Sequence, residues 1–568
     1  MKVLELVTKS GQQVRPNKLT VLVGANNSGK SQTLRDIRGR LVKGNLYQPV
    51  VFQDIIFEFP PTFEEFTKNC VIEPSTENLS HRMISGLNPD LLSEHYTNFD
   101  PVHIQRLYND PSNHNTNFTG TFTQFNVAYL DSETRLKLGA TTGAYNPHHE
   151  RIKNVFQGIV HDKATEKELQ KIFKLAFGME IVFDASGYTT WCFRVAKKMP
   201  AIPGDTRDAG AVTSSIPKLD DQGDGFKSFV GIVMALLRTK DRVILLDEPE
   251  AFLHPTQARY LGKWIADNLD LFSSQIIIST HNASFLSGLL AGGKPVDVYR
   301  LNRVDDDTSF NLIPAAVTAQ LAKHPLLSSQ RVMETLFYRG VVVCEADADR
   351  SVYQGVATIN LQNQDILFVH AHNKQTLNDV ASLLMRAKVP VVTIADIDLL
   401  NTAADLKKLV ETLSGQPIDA QLTQWRDKVA ASVNSVTDDV LLAKLHKEIK
   451  EFEEQLINSE HTLAGAKGAL SRIKDSFSTW GDIKRQGVMG FDTSVRSDAE
   501  EIIKKCKSFG LFIVPVGELE GWITTLGVSK KNKWIVPALE EIHKGNAPST
   551  LVDFVAEICD YLEAKKII

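Results

Sequence analysis

The sequence lacks three features that would assign it to a specialised class of protein. Its five cysteines are scattered over 568 residues without a CxxC pair, which excludes a disulfide framework or a typical zinc site and fits a reducing compartment. No apolar run approaches about 18 residues and no signal peptide is visible, so we expect a cytoplasmic protein with no membrane partner. Positive charge is not in excess: the net charge is −5, so composition alone does not indicate nucleic-acid binding.

A glycine-rich loop near the start of the chain is the most informative feature that is present. It follows the apolar run 19–23 and has the pattern G-x-x-x-x-G-K-[ST], which places backbone N–H groups and a helix N-terminus around a phosphate chain. We expect Lys30 to reach the β- and γ-phosphates of ATP and Ser31 to ligate Mg²⁺. The predicted nucleotide-binding residues of this loop are Gly24, Asn26, Asn27, Ser28, Gly29, Lys30 and Ser31.

A second motif supplies acidic residues that such a loop needs. The apolar run 243–246 ends in Asp247-Glu248, so a buried strand is expected to deliver both carboxylates to the sheet edge beside the loop. We expect Asp247 to hold Mg²⁺ and Glu248 to act as the catalytic group that polarises the attacking water. After the next apolar run, at 275–278, His281 is placed to contact the γ-phosphate.

In this order the motifs resemble the ABC-type ATPases, in the branch related to SMC and recombination-repair proteins. The best match to that group's signature loop is Gly223-Asp224-Gly225, although Asp224 interrupts the usual serine-containing pattern. The resemblance implies an α/β ATPase head at 1–330, with an irregular insertion or dimerisation region at 61–215. It also implies a homodimer or higher homo-oligomer, in which ATP lies between two heads and contacts Gly223 and Gly225 of the second head.

Three further apolar strands, all in the second half of the chain, end in acidic residues. Parallel strands present their carboxyl ends at one edge of an open sheet, so we expect these carboxylates to form one cluster. Such like charges repel unless divalent cations neutralise them, and a pair of Mg²⁺ or Mn²⁺ ions can promote phosphodiester cleavage. The predicted metal ligands are Glu345 and Asp349 after the first strand, Asp396 and Asp398 after the second, and Glu518 and Glu520 after the third.

The spacing of these acids resembles the Toprim domain. Ala346 replaces the glycine that usually follows the first glutamate, and Asn373-Lys374 lies where many Toprim domains have a Gly-Lys turn. An ABC-type ATPase followed by a Toprim domain is similar to the OLD (overcoming lysogenization defect) nucleases. The resemblance implies an α/β Toprim domain formed by 331–400 and 506–568.

A helical, coiled-coil-like insertion is expected at 401–505, inside the Toprim domain. In the OLD family a late lysine assists cleavage; Lys533 is preferred for that role here, with Lys530 and Lys531 as alternatives. Apolar residues of the insertion follow an alternating three- and four-residue spacing that is typical of helix packing or dimer contact. They are Leu442, Leu445, Ile449, Phe452, Leu456, Leu463, Leu470, Ile473 and Phe477.

These features together predict an ATP-binding, metal-dependent DNA endonuclease. The OLD resemblance further implies anti-phage defence and, as a restraining partner, a reverse transcriptase with its multicopy single-stranded DNA or another defence-operon protein. The main alternative is a nucleotide-switched DNA-binding or scaffold protein with an inactive Toprim site. A primase is less consistent because no zinc-ribbon cysteines precede the domain, and a topoisomerase would need a nucleophilic tyrosine in a separate domain.

Overall fold

A computed structural model divides the chain into two compact units, Met1–Phe337 and Tyr338–Ile568. Both units contain helices and strands, which confirms the mixed α/β class that the sequence predicted. In the described ranges, no helix is both long enough and apolar enough to cross a membrane. The structure describes all residues except 79, 147, 324–329, 372–373, 436–437, 458–462, 464, 468–469, 471–472, 474–478, 527–530 and 566–568.

The first unit contains strands β1 to β15 and helices α1 to α13. The strands are β1 (Lys2–Thr8), β2 (Gln13–Val14), β3 (Leu19–Gly24), β4 (Phe52–Glu58), β5 (Val71–Pro74), β6 (Arg82–Leu87), β7 (Glu94–Phe99), β8 (Val127–Leu130), β9 (Thr142–Gly143), β10 (Glu180–Asp184), β11 (Thr190–Ala196), β12 (Val243–Asp247), β13 (Gln275–Ser279), β14 (Asp297–Val304) and β15 (Asp307–Ile313). The helices are α1 (Lys30–Lys43), α2 (Phe63–Phe66), α3 (Pro101–Tyr108), α4 (Ser132–Leu138), α5 (Val155–His161), α6 (Lys163–Phe177), α7 (Thr206–Thr213), α8 (Asp224–Arg238), α9 (Pro255–Asp267), α10 (Leu269–Phe272), α11 (Ala283–Ala291), α12 (Ala315–Lys323) and α13 (Gln330–Glu334).

A six-stranded sheet forms the centre of the first unit, with strand order β15-β14-β3-β13-β12-β8. Five of its strands pair in parallel, and β15 joins the edge antiparallel to β14. Strands β3, β12 and β13 are buried along their whole length, as expected for central strands covered on both faces. Because they are parallel neighbours, the segments that follow them meet at one edge of the sheet.

Two segments of the first unit differ from what their composition suggests. The region 61–215, which was expected to be irregular, contributes β8 to the central sheet, where it pairs with β12. The largely polar β15 forms a hairpin with β14 and buries Thr308 and Phe310 on one face and Ile313 at its end. Short strands of this kind carry a weak sequence signal, since most of their stabilisation comes from neighbours that are remote in the chain.

The second unit is built on a four-stranded parallel sheet. Its strands are β16 (Gly340–Cys344), β17 (Ile366–His370), β18 (Val391–Ala395) and β19 (Leu511–Ile513), in the order β17-β16-β18-β19. Its helices are α14 (Asp347–Ile359), α15 (Lys374–Arg386), α16 (Ala403–Ser414), α17 (Ala420–Asn434), α18 (Asp438–Ile457), α19 (Thr479–Gln486), α20 (Thr493–Phe509), α21 (Lys531–His543) and α22 (Ser549–Ala564).

Helices α16 to α20 are inserted between the adjacent strands β18 and β19. Helix α18 carries the first part of the predicted heptad pattern, and its Leu442, Ile449 and Leu456 are 57%, 45% and 43% exposed. Residues 458–462 and 474–478, which include Phe477, lie outside the described residues. The coiled-coil arrangement therefore stays a prediction.

Candidate functional site

The glycine-rich loop connects β3 to α1, as its sequence pattern predicts. Gly24 ends the strand at φ +145°, and a Cβ there would lie 2.5 Å from the carbonyl oxygen of Leu301, so only glycine fits. Gly29, at φ +98°, precedes the first residue of the helix. The Lys30 ammonium donates hydrogen bonds to the carbonyl oxygens of Gly24 and Ala25 at 2.8 and 2.9 Å. The loop thus closes around its own lysine at a helix N-terminus, the arrangement that binds phosphate.

The end of β12 lies directly beside this loop. The Ser31 hydroxyl donates to Asp247 Oδ1 at 2.7 Å, and the Ser279 hydroxyl donates to the same oxygen. The Tyr129 hydroxyl approaches Asp247 Oδ2 at 3.5 Å. Ser31 and Asp247, which the sequence pairs as Mg²⁺ ligands across more than two hundred residues, are therefore in direct contact.

Glu248 and His281 also meet at this edge of the sheet. His281 Nδ1 lies 3.1 Å from Glu248 Oε1, and Glu248 has a left-handed backbone with φ +50°. The hydrogen bond between them lowers the pKa of Glu248 and raises the pKa of His281. Both side chains are about half exposed. The geometry leaves an ionised carboxylate accessible next to the phosphate loop, as a group that orients water requires.

Arg135, which the sequence analysis did not identify, donates hydrogen bonds to the backbone of this acidic loop. Its guanidinium is fully buried and donates to the carbonyl oxygens of Asp247 at 2.5 Å, Glu248 at 3.0 Å and Leu130 at 3.1 Å. It also donates to the Ser228 hydroxyl on α8 at 3.2 Å. Arginine can satisfy several acceptors because its five N–H groups have a fixed planar geometry. Arg135 is one of several arginines within 61–215 and belongs to no recognisable motif, so the sequence did not identify it.

The proposed signature loop lies at the start of α8. Gly223 is the N-cap of this helix, and Asp224 is its first residue. A Cβ on Gly225 would lie 2.7 Å from the carbonyl oxygen of Phe252, so a side chain there would clash with backbone. Gly225 therefore permits the close approach of the Phe252 backbone, which packs against the first turn of α8.

The second candidate site is an acidic cluster at the carboxyl edge of the β16–β19 sheet. The backbone N–H of Asp396 donates to Glu345 Oε1 at 3.2 Å, which joins the ends of β16 and β18. Burial, followed by the nearby Asp396 and Asp398 carboxylates, raises the pKa of Glu345 to about 7. Asp396 itself is 8% exposed. Acids that are 51 residues apart in the sequence are thus brought together.

Two lysines compensate the charge of this cluster. Lys484 Nζ lies 3.0 Å from Asp396 Oδ2 and 3.6 Å from Asp398 Oδ2. Lys374 Nζ lies 3.5 Å from Asp398 Oδ1 and donates to the Asp398 carbonyl oxygen at 2.9 Å. Burial lowers the pKa of Lys484, but Asp396 and Asp398 outweigh it and raise that pKa overall. Lys374 was noted as part of an expected turn, whereas Lys484 was missed; Asn373 lies outside the described residues.

The other predicted residues of this site are placed less closely. Asp349 is buried, and its Oδ2 accepts the Ala346 backbone N–H at 3.0 Å at the start of α14. Glu518 is near enough to influence Lys484 electrostatically. Glu520 is half-buried and, among the described residues, forms no hydrogen bond or ion pair with the cluster; Lys533 is exposed on α21.

The arrangement of donors bears directly on metal binding. Within the described part of the chain, no three His, Cys, Asp or Glu side chains are already arranged to hold a metal ion. The cluster of Glu345, Asp396 and Asp398 is instead neutralised by lysine. The two-ion site that the sequence predicted therefore stays a prediction.

Comparison with known proteins adds an independent finding for the first unit. Residues 214–287 match a family model described as "AAA domain, putative AbiEii toxin, Type IV TA system". This stretch includes Gly223, Gly225, Asp247, Glu248 and His281. No curated protein matches the chain.

Two similar solved structures are SMC heads. One is a crystal structure of the SmcHead bound to the C-winged helix domain of ScpA, with 12% identity and a TM-score of 0.30, covering 55% of this chain and 97% of that chain. The other is an SMC head domain from Thermotoga maritima, with 14% identity and a TM-score of 0.28, covering 55% of this chain and 100% of that chain. The family match, rather than these distant structural similarities, indicates an AAA-type ATPase domain within the first unit, and the glycine-rich loop lies in the same unit.

Proposed function

We propose that the protein binds ATP through its first unit and cleaves DNA at the acidic cluster of its second unit with a divalent metal ion. The observation that carries the proposal is the meeting of Glu345, Asp396 and Asp398 at one edge of a parallel sheet. Burial and mutual repulsion make this cluster unfavourable without positive charge, as its raised Glu345 pKa indicates.

The donor set fits a hard divalent cation, because Mg²⁺ and Mn²⁺ prefer carboxylate oxygens. When bound, such an ion supplies an activated water and stabilises charge on the leaving oxygen of a phosphodiester. Glu345, Asp396 and Asp398 would hold it. The OLD resemblance extends this proposal to further ligands and a catalytic lysine, namely Asp349, Glu518, Glu520 and Lys533.

In the first unit, ATP would bind at Lys30 and Ser31, with Mg²⁺ shared between Ser31 and Asp247. Glu248 would orient the attacking water, and His281 would contact the γ-phosphate. We propose that the loop of the exposed Gly223 and the half-buried Gly225 contacts the nucleotide of a second copy. Mass photometry of Glu248→Gln protein should then show an ATP-dependent dimer, and a monomer with and without ATP would contradict this part of the proposal.

We further propose a role in anti-phage defence, with DNA as substrate and a restraining partner such as a reverse transcriptase with its single-stranded DNA. The OLD resemblance supports this role, and the matched family model carries a toxin description of its own. Cells expressing the chain with its neighbouring genes should resist phage, and Asp396→Asn should abolish that resistance. Equal plaque counts for the two would contradict it.

The direct test is cleavage of plasmid DNA with Mn²⁺ and ATP. Asp396→Asn should reduce cleavage by about 10³-fold or more, because it removes a charged donor at the centre of the cluster. The matched control is Asp379→Asn, which changes an exposed aspartate of the same unit that pairs with Lys408. Equal cleavage by wild type and Asp396→Asn would refute the nuclease proposal.

One observation favours the alternative, a nucleotide-switched DNA-binding or scaffold protein. No described trio of acids is arranged for a metal, and lysine already neutralises the cluster. Such a protein would bind DNA in an ATP- and salt-dependent way without cutting it. Gel-shift and cleavage assays on the same samples separate the two functions.

A further inference from the structure

Lys484 occupies an unusual position in the acidic cluster. It comes from the inserted helix α19, yet its ammonium lies 3.0 Å from Asp396 and 3.6 Å from Asp398. It also interacts electrostatically with Glu345 and Glu518. A single cation therefore faces acidic residues that follow three different strands of the sheet.

Backbone contacts fix the position of Lys484 beside the acidic cluster. Gly517 has φ +102°, and a Cβ on it would lie 2.0 Å from the Lys484 carbonyl oxygen, so the loop after β19 touches the helix directly. On the other side, the Ile397 backbone N–H donates to the Gly517 carbonyl oxygen at 3.0 Å. The Val488 N–H donates to the Pro515 carbonyl oxygen at 2.9 Å. These contacts join the helix end, the loop after β19 and the loop that carries Asp396.

The backbone of Lys484 is fixed by these contacts, whereas its side chain can move away from the carboxylates. It is 29% exposed, and a lysine has a long flexible stem that can reach solvent while its backbone stays in place. Lys374 differs, since its ion pair and its hydrogen bond among the described residues are both with Asp398. The two lysines thus form a natural pair for comparison.

We propose that Lys484 is an internal counter-ion that occupies the cation position between Asp396 and Asp398 and is displaced when a divalent metal binds. This inference rests on the proposed metal site and adds its regulation. A monovalent ammonium offsets part of the repulsion among these acids, so the metal competes with it. Metal affinity is accordingly set by a residue of the helical insertion.

The first test is Mn²⁺ binding measured by isothermal titration calorimetry on the full chain without ATP. Lys484→Met should bind Mn²⁺ about tenfold more tightly than wild type, because it removes the competing charge. Lys374→Met, which removes an equal charge from the same cluster, should change the affinity by less than about threefold. An equal increase in Mn²⁺ affinity for both variants would overturn the claim that Lys484 occupies the metal position. Any nearby positive charge would then have the same effect.

The second test follows the lysine itself. Brief acetylation of wild-type protein, read by mass spectrometry, should label Lys484 several-fold faster with Mn²⁺ than with EDTA, because displacement frees its amine. Labelling that is unchanged or slower with Mn²⁺ would overturn the inference even where Mn²⁺ binds, leaving the proposed metal site intact. Failure of wild type and both variants to bind Mn²⁺ would instead refute the metal site and, with it, this inference.

Discussion

In both units, carboxylates follow a central parallel strand, but the groups that contact these carboxylates differ. In the first unit, Asp247 follows a central parallel strand and accepts hydrogen bonds from the hydroxyls of Ser31 and Ser279. In the second, Asp396 and Asp398 follow a comparable strand and face the ammonium of Lys484. Neutral donors leave an acid its negative charge for a cation, whereas an ammonium cancels that charge.

The side chains at the two sheet edges are therefore held by different kinds of contact. The nucleotide edge has its lysine held by loop carbonyls, 2.8 and 2.9 Å away, and its acids held by hydroxyls and by Arg135. In the acidic cluster, the ammonium groups of Lys484 and Lys374 lie against Asp396 and Asp398. Carboxylates are therefore pre-arranged at the first edge and electrostatically compensated at the second.

The largest expected effect concerns Arg135. Arg135→Met should lower the free energy of unfolding of the first unit by about 3 kcal/mol or more, because it removes a buried guanidinium that donates to the carbonyl oxygens of Leu130, Asp247 and Glu248. Urea denaturation measures this, with Arg207→Met as the control, since Arg207 is 80% exposed and pairs with Asp205. A loss no greater than that of the control would show that the hydrogen bonds of Arg135 do not hold the nucleotide edge.

The second-largest expected effect tests whether ATP and the divalent metal ion bind at different sheet edges. Lys30→Met should weaken ATP binding by about a hundredfold or more, because the proposed site places the lysine charge against the phosphates. Mn²⁺ binding by the second unit, measured without ATP, should not change. Binding of a fluorescent ATP analogue gives the first value, and Lys43→Met, an exposed lysine on the same helix, is the control. Unaltered ATP affinity would contradict the assignment of the loop.

The smallest expected effect is a pH dependence from the acidic cluster. The folded-state pKa of Glu345 is raised from 4.5 to about 7, so the folded state binds this proton more tightly than the unfolded state. Stability should therefore fall as pH rises from about 4.5 to about 7, and this fall should be absent in Glu345→Gln.

Denaturation of both proteins in EDTA at pH 5 and pH 8 measures that difference. Glu557→Gln makes the same chemical change at a carboxylate that is about half exposed and paired with Lys507. Its pH profile should follow wild type. Parallel profiles for wild type and Glu345→Gln would show that the cluster is compensated more completely than its geometry suggests.

Much of the nucleotide site was predictable from local sequence. The loop at 24–31 and the acids at 247–248 lie where strand ends and a helix start were expected, because each motif is contiguous and flanked by continuous apolar strands. Strand β8 and Arg135 were not predictable, since a four-residue strand within a polar region carries little periodic signal. Their importance comes from partners more than ninety residues away.

The sequence by itself determined which strands end in acids and which loop has the phosphate-binding pattern, because residue type and spacing within one segment fix local backbone and charge. Only the tertiary structure decided which of those acids meet and what neutralises them. Glu345, Asp396 and Asp398 come together at the sheet edge, while Glu520 makes no described contact with them. Lys484 reaches them from an inserted helix through a packing contact at Gly517, a relation between distant backbones that no local pattern encodes.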